Sequence, residues 1–169
     1  MLVLQELEQV ILFKILLFLF LLCYNGFGDD MIKDYISKSA DDTLKIAKRF
    51  ATSLNVGDIV LLNGDLGAGK TVFVKGVTDY FSNGKSIAVS PTFLIVNTYN
   101  TVPPIYHFDL YRINDMSELD AIGAEEYFYG NGISFVEWPE RAEGYFPSTA
   151  IKVYILKQGD NERLIRIER

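Results

Sequence analysis

The segment Gly64-Asp65-Leu66-Gly67-Ala68-Gly69-Lys70-Thr71 constrains this chain more than any other. It fits G-x-x-x-x-G-K-[ST] without a gap, a pattern built around a triphosphate. The glycines let the backbone curl so that successive N–H groups face phosphate oxygens, Lys70 can reach the outer phosphates, and the Thr71 hydroxyl can ligate Mg²⁺. With Gly at about 7% of ordinary usage, a chance match in a chain of this length occurs about once in two hundred. The flanks strengthen the reading. Asp58 to Asn63 is a short apolar run suited to a strand buried on both faces. Downstream, Phe73, Val77, Tyr80 and Phe81 recur at helical spacing until Ser82-Asn83-Gly84 ends the helix. The loop thus delivers an anion to a helix N-terminus.

A chain of 169 residues, 49% of them hydrophobic, can bury one sizeable core, so a single domain is expected. Its net charge of −6 argues against a direct grip on a nucleic-acid backbone, which requires clustered Lys and Arg. The basic group Lys45, Lys48 and Arg49 reads as a solvated helix face. The lone Cys23 excludes an internal disulfide or cysteine-rich metal site, and the lone His107 argues against a zinc centre.

Residues 1–30 stand apart. Val10 to Tyr24 is apolar apart from Lys14, and Gly26-Phe27-Gly28-Asp29-Asp30 breaks the run. It is short for a membrane span, which needs about twenty residues. Glu6 and Glu8 do not suit a secretory leader. The expectation is that 1–30 come from an upstream start codon and that 31–169 form the working domain; a membrane anchor and a packed apolar helix are the alternatives.

In the body, Ile36 to Lys38 reads as a short edge strand. Ser39 reads as the N-cap, with Asp42 three residues on, of a helix running to about Leu54. Leu44, Ala47, Ala51 and Leu54, with Ile46 and Phe50, form its apolar face. Ile87-Ala88-Val89 leads to Ser90-Pro91-Thr92-Phe93. Residues 93–111 read as an antiparallel hairpin, which predicts a mixed sheet. Glu118 to Tyr129 has helical composition, Ile133 to Val136 is a buried strand, and Ala150 to Leu156 with Arg163 to Ile167 make a closing hairpin.

A triphosphate site needs acidic residues for its metal, usually at the exit of a strand neighbouring the loop. Asp109 follows Ile105-Tyr106-His107-Phe108, and Glu137 follows Ile133-Ser134-Phe135-Val136. A bare carboxylate there is costly unless a cation or hydrogen bonds satisfy it. Pairing with Arg112 or Arg141 is the structural alternative. Thr92 reads either as part of a segment closing over the terminal phosphate, as switch loops do, or as a plain turn. Trp138 can stack near a nucleotide or simply pack. Asp120-Ala121-Ile122-Gly123 matches D-x-x-G only loosely, and no N-K-x-D motif accompanies it, so ATP is favoured over GTP.

Taken in series, the loop at 64–71, Ser90-Pro91-Thr92-Phe93, His107-Phe108-Asp109-Leu110-Tyr111-Arg112 and Val136-Glu137-Trp138-Pro139-Glu140 resemble the bacterial TsaE family over about residues 33–168. That family is the ATPase subunit of the machinery making threonylcarbamoyladenosine on tRNA. The resemblance implies an α/β, single-domain, P-loop NTPase-like three-layer fold with a mixed parallel/antiparallel sheet. It implies phosphate binding by Leu66, Gly67, Ala68, Gly69, Lys70 and Thr71, and Mg²⁺ held by Thr71 and Glu137. Asp109 then orients or activates the attacking water, Thr92 belongs to the moving loop, and Ser39 to Asp42 lie near the adenine. It further implies a cytoplasmic ATP hydrolase that docks on a TsaB–TsaD protein complex and meets tRNA only through those partners, with no membrane role for the body. Without an evident arginine finger, the chain alone is expected to be slow and partner-stimulated. A small-molecule kinase and a membrane-tethered nucleotide-binding scaffold are the competing readings.

Overall fold

The computed structural model describes residues 32–84 and 95–169. The apolar run Val10 to Tyr24, Ile87-Ala88-Val89 and the Thr92 turn fall outside the described residues. The elements in chain order are β1 (Lys33–Ser37), α1 (Ala40–Ala51), β2 (Ile59–Asn63), α2 (Lys70–Phe81), β3 (Val96–Tyr99) and β4 (Ile105–Asp109). They continue with α3 (Ser117–Ala121), α4 (Ala124–Phe128), β5 (Ile133–Glu137), a 3₁₀ turn (Pro139–Ala142), β6 (Ile151–Lys157) and β7 (Arg163–Glu168).

The strands join in one sheet of order β1-β7-β6-β2-β5-β4-β3. Its centre, β6-β2-β5-β4, is parallel, and antiparallel strands flank it on both sides. The mixed sheet expected from the 93–111 hairpin is therefore present. β2 is central and buried on both faces, as its unbroken apolar run requires. Helices α1 and α2 cover one face, where Ala47, Phe50, Phe73, Val74 and Val77 pack on Val60, Leu62, Phe135 and Val153. On the other face α3, α4 and the 3₁₀ turn bring Leu119, Ala124, Phe128 and Ala142 against Leu61, Phe108 and Val136. This makes three layers.

Local chemistry explains the element ends. Ser39 Oγ accepts from Asp42 N at 3.1 Å and so caps the helix, and the Asp42 carboxylate accepts from the preceding Lys38 N at 3.3 Å. Helix α1 stops at Ala51, short of the expected Leu54. Lys45 pairs with Asp41 and Asp42, and Lys48 with Asp79 of α2, so these two lysines lie in surface ion pairs. The single helix expected over 118–129 is two short ones. Gly123 sits at φ +66 between them, a left-handed turn that only glycine adopts cheaply. The bend lets Leu119, Ala124 and Phe128 all reach the core.

Candidate functional site

The phosphate loop leaves the carboxyl end of β2, where ligands of open α/β sheets collect. Gly64 begins it at φ +151, and a Cβ there would stand 2.5 Å from the Ile155 carbonyl oxygen, so the loop runs hard against β6. Ala68 N donates to Asp65 O at 3.1 Å, and the first bond of α2 runs from Phe73 N to Gly69 O at 2.9 Å. The preceding N–H groups of such a helix start have no intrahelical partner and suit an anion.

The loop's carbonyls, by contrast, face cations. Lys70 Nζ donates to Gly64 O at 2.6 Å and Asp65 O at 3.1 Å. Lys157 Nζ reaches Leu66 O at 2.9 Å, and Arg163 Nε reaches Ala68 O at 3.1 Å. Lys157 and Arg163 come from the β6–β7 hairpin, and sequence reasoning gave neither this bracing role. Nothing in their local pattern could have revealed it. Lys70 is buried. Burial holds its ammonium below the ordinary lysine value of 10.5, against the opposing pull of Glu137, Asp109, Glu140 and Asp65.

Two carboxylates stand opposite. Asp109 and Glu137 are register partners at the ends of parallel strands β4 and β5. The ladder is continued by Leu110 N donating to Glu137 O at 3.1 Å. Thr71 Oγ1 donates to Glu137 Oε1 at 3.0 Å. Buried His107 places Nε2 2.9 Å from the same oxygen. Glu137 is thus satisfied by Thr71 and His107, not by the arginines weighed from sequence. Asp109 Oδ1 accepts from Tyr111 N at 3.1 Å, and its carboxylate lies half-buried at the cleft.

The cleft measures about 350 Å³ and is lined by the loop from Leu66 to Val72 together with Asp109, Tyr111, Arg112, Glu137 and Trp138. Trp138 holds a left-handed backbone at φ +59 directly before Pro139. For a non-glycine residue this costs on the order of 1–3 kcal/mol and is typical of functional sites. It places the indole ring centroid 3.9 Å from Lys70 Nζ and 5.0 Å from the Tyr111 ring. Among the sequence candidates, Leu66 to Thr71, Asp109 and Glu137 come together here; Thr92 lies outside the described residues. Ser39 to Asp42 do not line this cleft. Asp120 of the D-x-x-G match accepts from the Tyr145 hydroxyl at 3.1 Å and does not line it either.

The donors fit magnesium. A hydroxyl and a carboxylate are hard oxygen ligands, and Mg²⁺ characteristically takes one or two carboxylates and completes its shell with water and phosphate oxygens. Among the described residues no group of three or more His, Cys, Asp or Glu could hold a metal by itself. Among the described residues no helix is long and apolar enough to cross a membrane.

Comparison with known proteins gives concordant results. The family model described as threonylcarbamoyl adenosine biosynthesis protein TsaE matches residues 37–165. The tRNA threonylcarbamoyladenosine biosynthesis protein TsaE of Bacillus subtilis is 43% identical over 126 residues, covering 74% of this chain and 78% of that protein. The protein of the same name from Rickettsia bellii is 40% identical over 133 residues, 78% of this chain and 92% of its own length. The crystal structure of Bacillus subtilis YdiB is similar with a TM-score of 0.69 and 32% identity, over 83% of this chain and 87% of that one.

Proposed function

This chain belongs to the TsaE family of threonylcarbamoyladenosine biosynthesis proteins, and we propose that it serves tRNA threonylcarbamoyladenosine formation by hydrolysing ATP. The observation that carries the reading is the meeting of Thr71 with Glu137, from elements far apart in the chain, beside Lys70 and Asp109. Leu66 to Thr71 bind the phosphates through backbone N–H groups, and Lys70 leaves the loop carbonyls to take the outer phosphate oxygens. Thr71 and Glu137 would hold Mg²⁺, which would supply neutralisation of the phosphate charge. Asp109, at the end of the neighbouring strand, orients the attacking water in line with the bond to be broken. Thr92 is assigned a catalytic role on the family resemblance alone. Catalysis of this kind is mostly positioning and electrostatic stabilisation.

The partner is a TsaB–TsaD complex, and hydrolysis drives its turnover, with tRNA met only indirectly. Support comes from the family and from a net charge of −6, which favours docking on proteins over gripping a polyanion. Steady-state phosphate release measured with and without the TsaB–TsaD complex tests this. Slow turnover alone and marked stimulation by the complex are expected; equal rates count against it.

A further inference from the structure

His107 is the one histidine of the chain. It is fully buried in β4, and both ring nitrogens are engaged. Nε2 lies 2.9 Å from Glu137 Oε1, and Nδ1 lies 3.2 Å from the Tyr99 hydroxyl of β3. Because Thr71 donates to the same Glu137 oxygen, a single hydrogen-bonded line crosses three strands and ends on the first turn of the phosphate-loop helix. His107 does not line the cleft; it stands behind Glu137.

The direction of each bond follows from the groups. An ionised carboxylate only accepts, so Nε2 carries a proton. In a neutral imidazole Nδ1 is then an acceptor, and the Tyr99 hydroxyl donates to it. Tyr99 thereby selects the tautomer, and the imidazole selects the rotation of the carboxylate. With Oε1 committed to Thr71 and His107, Oε2 is the oxygen left for a ligand. Partners behind a metal ligand act in this way, fixing its orientation and its basicity.

We infer that His107 is a positioning residue for Glu137, presenting that carboxylate to the magnesium of a bound nucleotide, with Tyr99 setting the tautomer. The inference rests on the nucleotide-binding reading above. It differs from ordinary burial of a satisfied histidine, which would support the fold but would be indifferent to magnesium.

A lone histidine makes the test direct. In a long-range proton–nitrogen-15 spectrum of the untagged, nucleotide-free chain, the Nε2–H tautomer is expected. Adding a non-hydrolysable ATP analogue with Mg²⁺ shifts the Nε2 resonance further than the same analogue in EDTA. Calorimetry with that analogue adds a second reading. Tyr99→Phe and His107→Leu each weaken binding in Mg²⁺, the latter by about tenfold or more, and leave binding in EDTA unchanged. His107→Gln, which keeps an N–H donor, recovers much of the loss.

An Nδ1–H tautomer, or equal losses with and without magnesium, overturns the inference. Should His107→Leu fail to fold, the spectrum of the wild-type chain and Tyr99→Phe still decide it. A wild-type chain that binds no nucleotide in either buffer defeats the nucleotide reading itself and the inference resting on it. An Nε2–H tautomer in that chain would locate the failure in the nucleotide reading, and an Nδ1–H tautomer in the line of bonds as well.

Discussion

The Thr71 hydroxyl donates to Glu137 at 3.0 Å across a sequence separation of 66 residues. That contact exists because β2 and β5 are parallel neighbours, with Leu62 in register with Glu137. Both strands therefore release their next residues at the same edge of the sheet. Glu137→Gln preserves the shape and removes the charge. Nucleotide affinity in EDTA should be unchanged, the tightening by Mg²⁺ should vanish, and phosphate release should fall by about a hundredfold or more. Calorimetry with and without EDTA, together with a phosphate assay, checks all three.

Lys70 and Asp109 should separate binding from chemistry. On the proposed reading, Lys70→Ala should remove a phosphate ligand and weaken binding of every nucleotide. Asp109→Ala leaves binding intact and slows hydrolysis. If calorimetry instead finds that Asp109→Ala loses affinity only when Mg²⁺ is present, then Asp109 is the metal ligand and the roles of the two carboxylates are exchanged.

Trp138 is the one tryptophan of the chain, with the Lys70 ammonium 3.9 Å from its ring centroid. Phosphates that draw the ammonium away should change indole emission. A saturable change with nucleotide, abolished in Lys70→Ala at concentrations that saturate the wild type, is expected in a fluorescence titration.

Gly76 lies mid-helix in α2, where alanine would ordinarily gain about 1 kcal/mol in helix propensity. Here a Cβ would stand 2.6 Å from Ala47 Cβ and 2.7 Å from the Leu44 carbonyl oxygen. Backbone cannot rotate aside, so the clash wins. Gly76→Ala should destabilise by about 1–3 kcal/mol, and thermal melts should show Tm lowered by several degrees.

Arg166 grips Asp34 with two hydrogen bonds of 2.8 Å between β7 and β1. The guanidinium holds the Asp34 carboxyl below the ordinary aspartate value of 3.8. A depressed acid stabilises the fold fully above that ordinary value, and the contribution is lost as pH falls through the lower folded one. The Tm difference between wild type and Asp34→Asn should therefore be constant near neutrality and close in strong acid. Added salt should narrow it, because the pair is exposed. A gap that widens on acidification would contradict this.

Much of the architecture is written in short stretches. The loop at 64–71, the apolar run of β2, the Ser39 cap and the two hairpins each depend on φ/ψ preference and on the period of burial, which neighbouring residues encode together. The same logic failed at Gly123, where helical composition on both sides hid the one residue whose backbone preference divides the segment. It also put two carboxylates at strand ends without assigning either, since a strand's sequence does not state its neighbours.

By itself, the sequence determined that a G-x-x-x-x-G-K-[ST] loop sits between a buried strand and a helix, in the motif order of one family. Tertiary structure alone decided the company each side chain keeps. His107 stands behind Glu137, Lys157 and Arg163 brace the loop, and Gly76 admits Ala47. These contacts depend on strand order, register and helix packing, which come from burying the whole sheet at once and from no local segment.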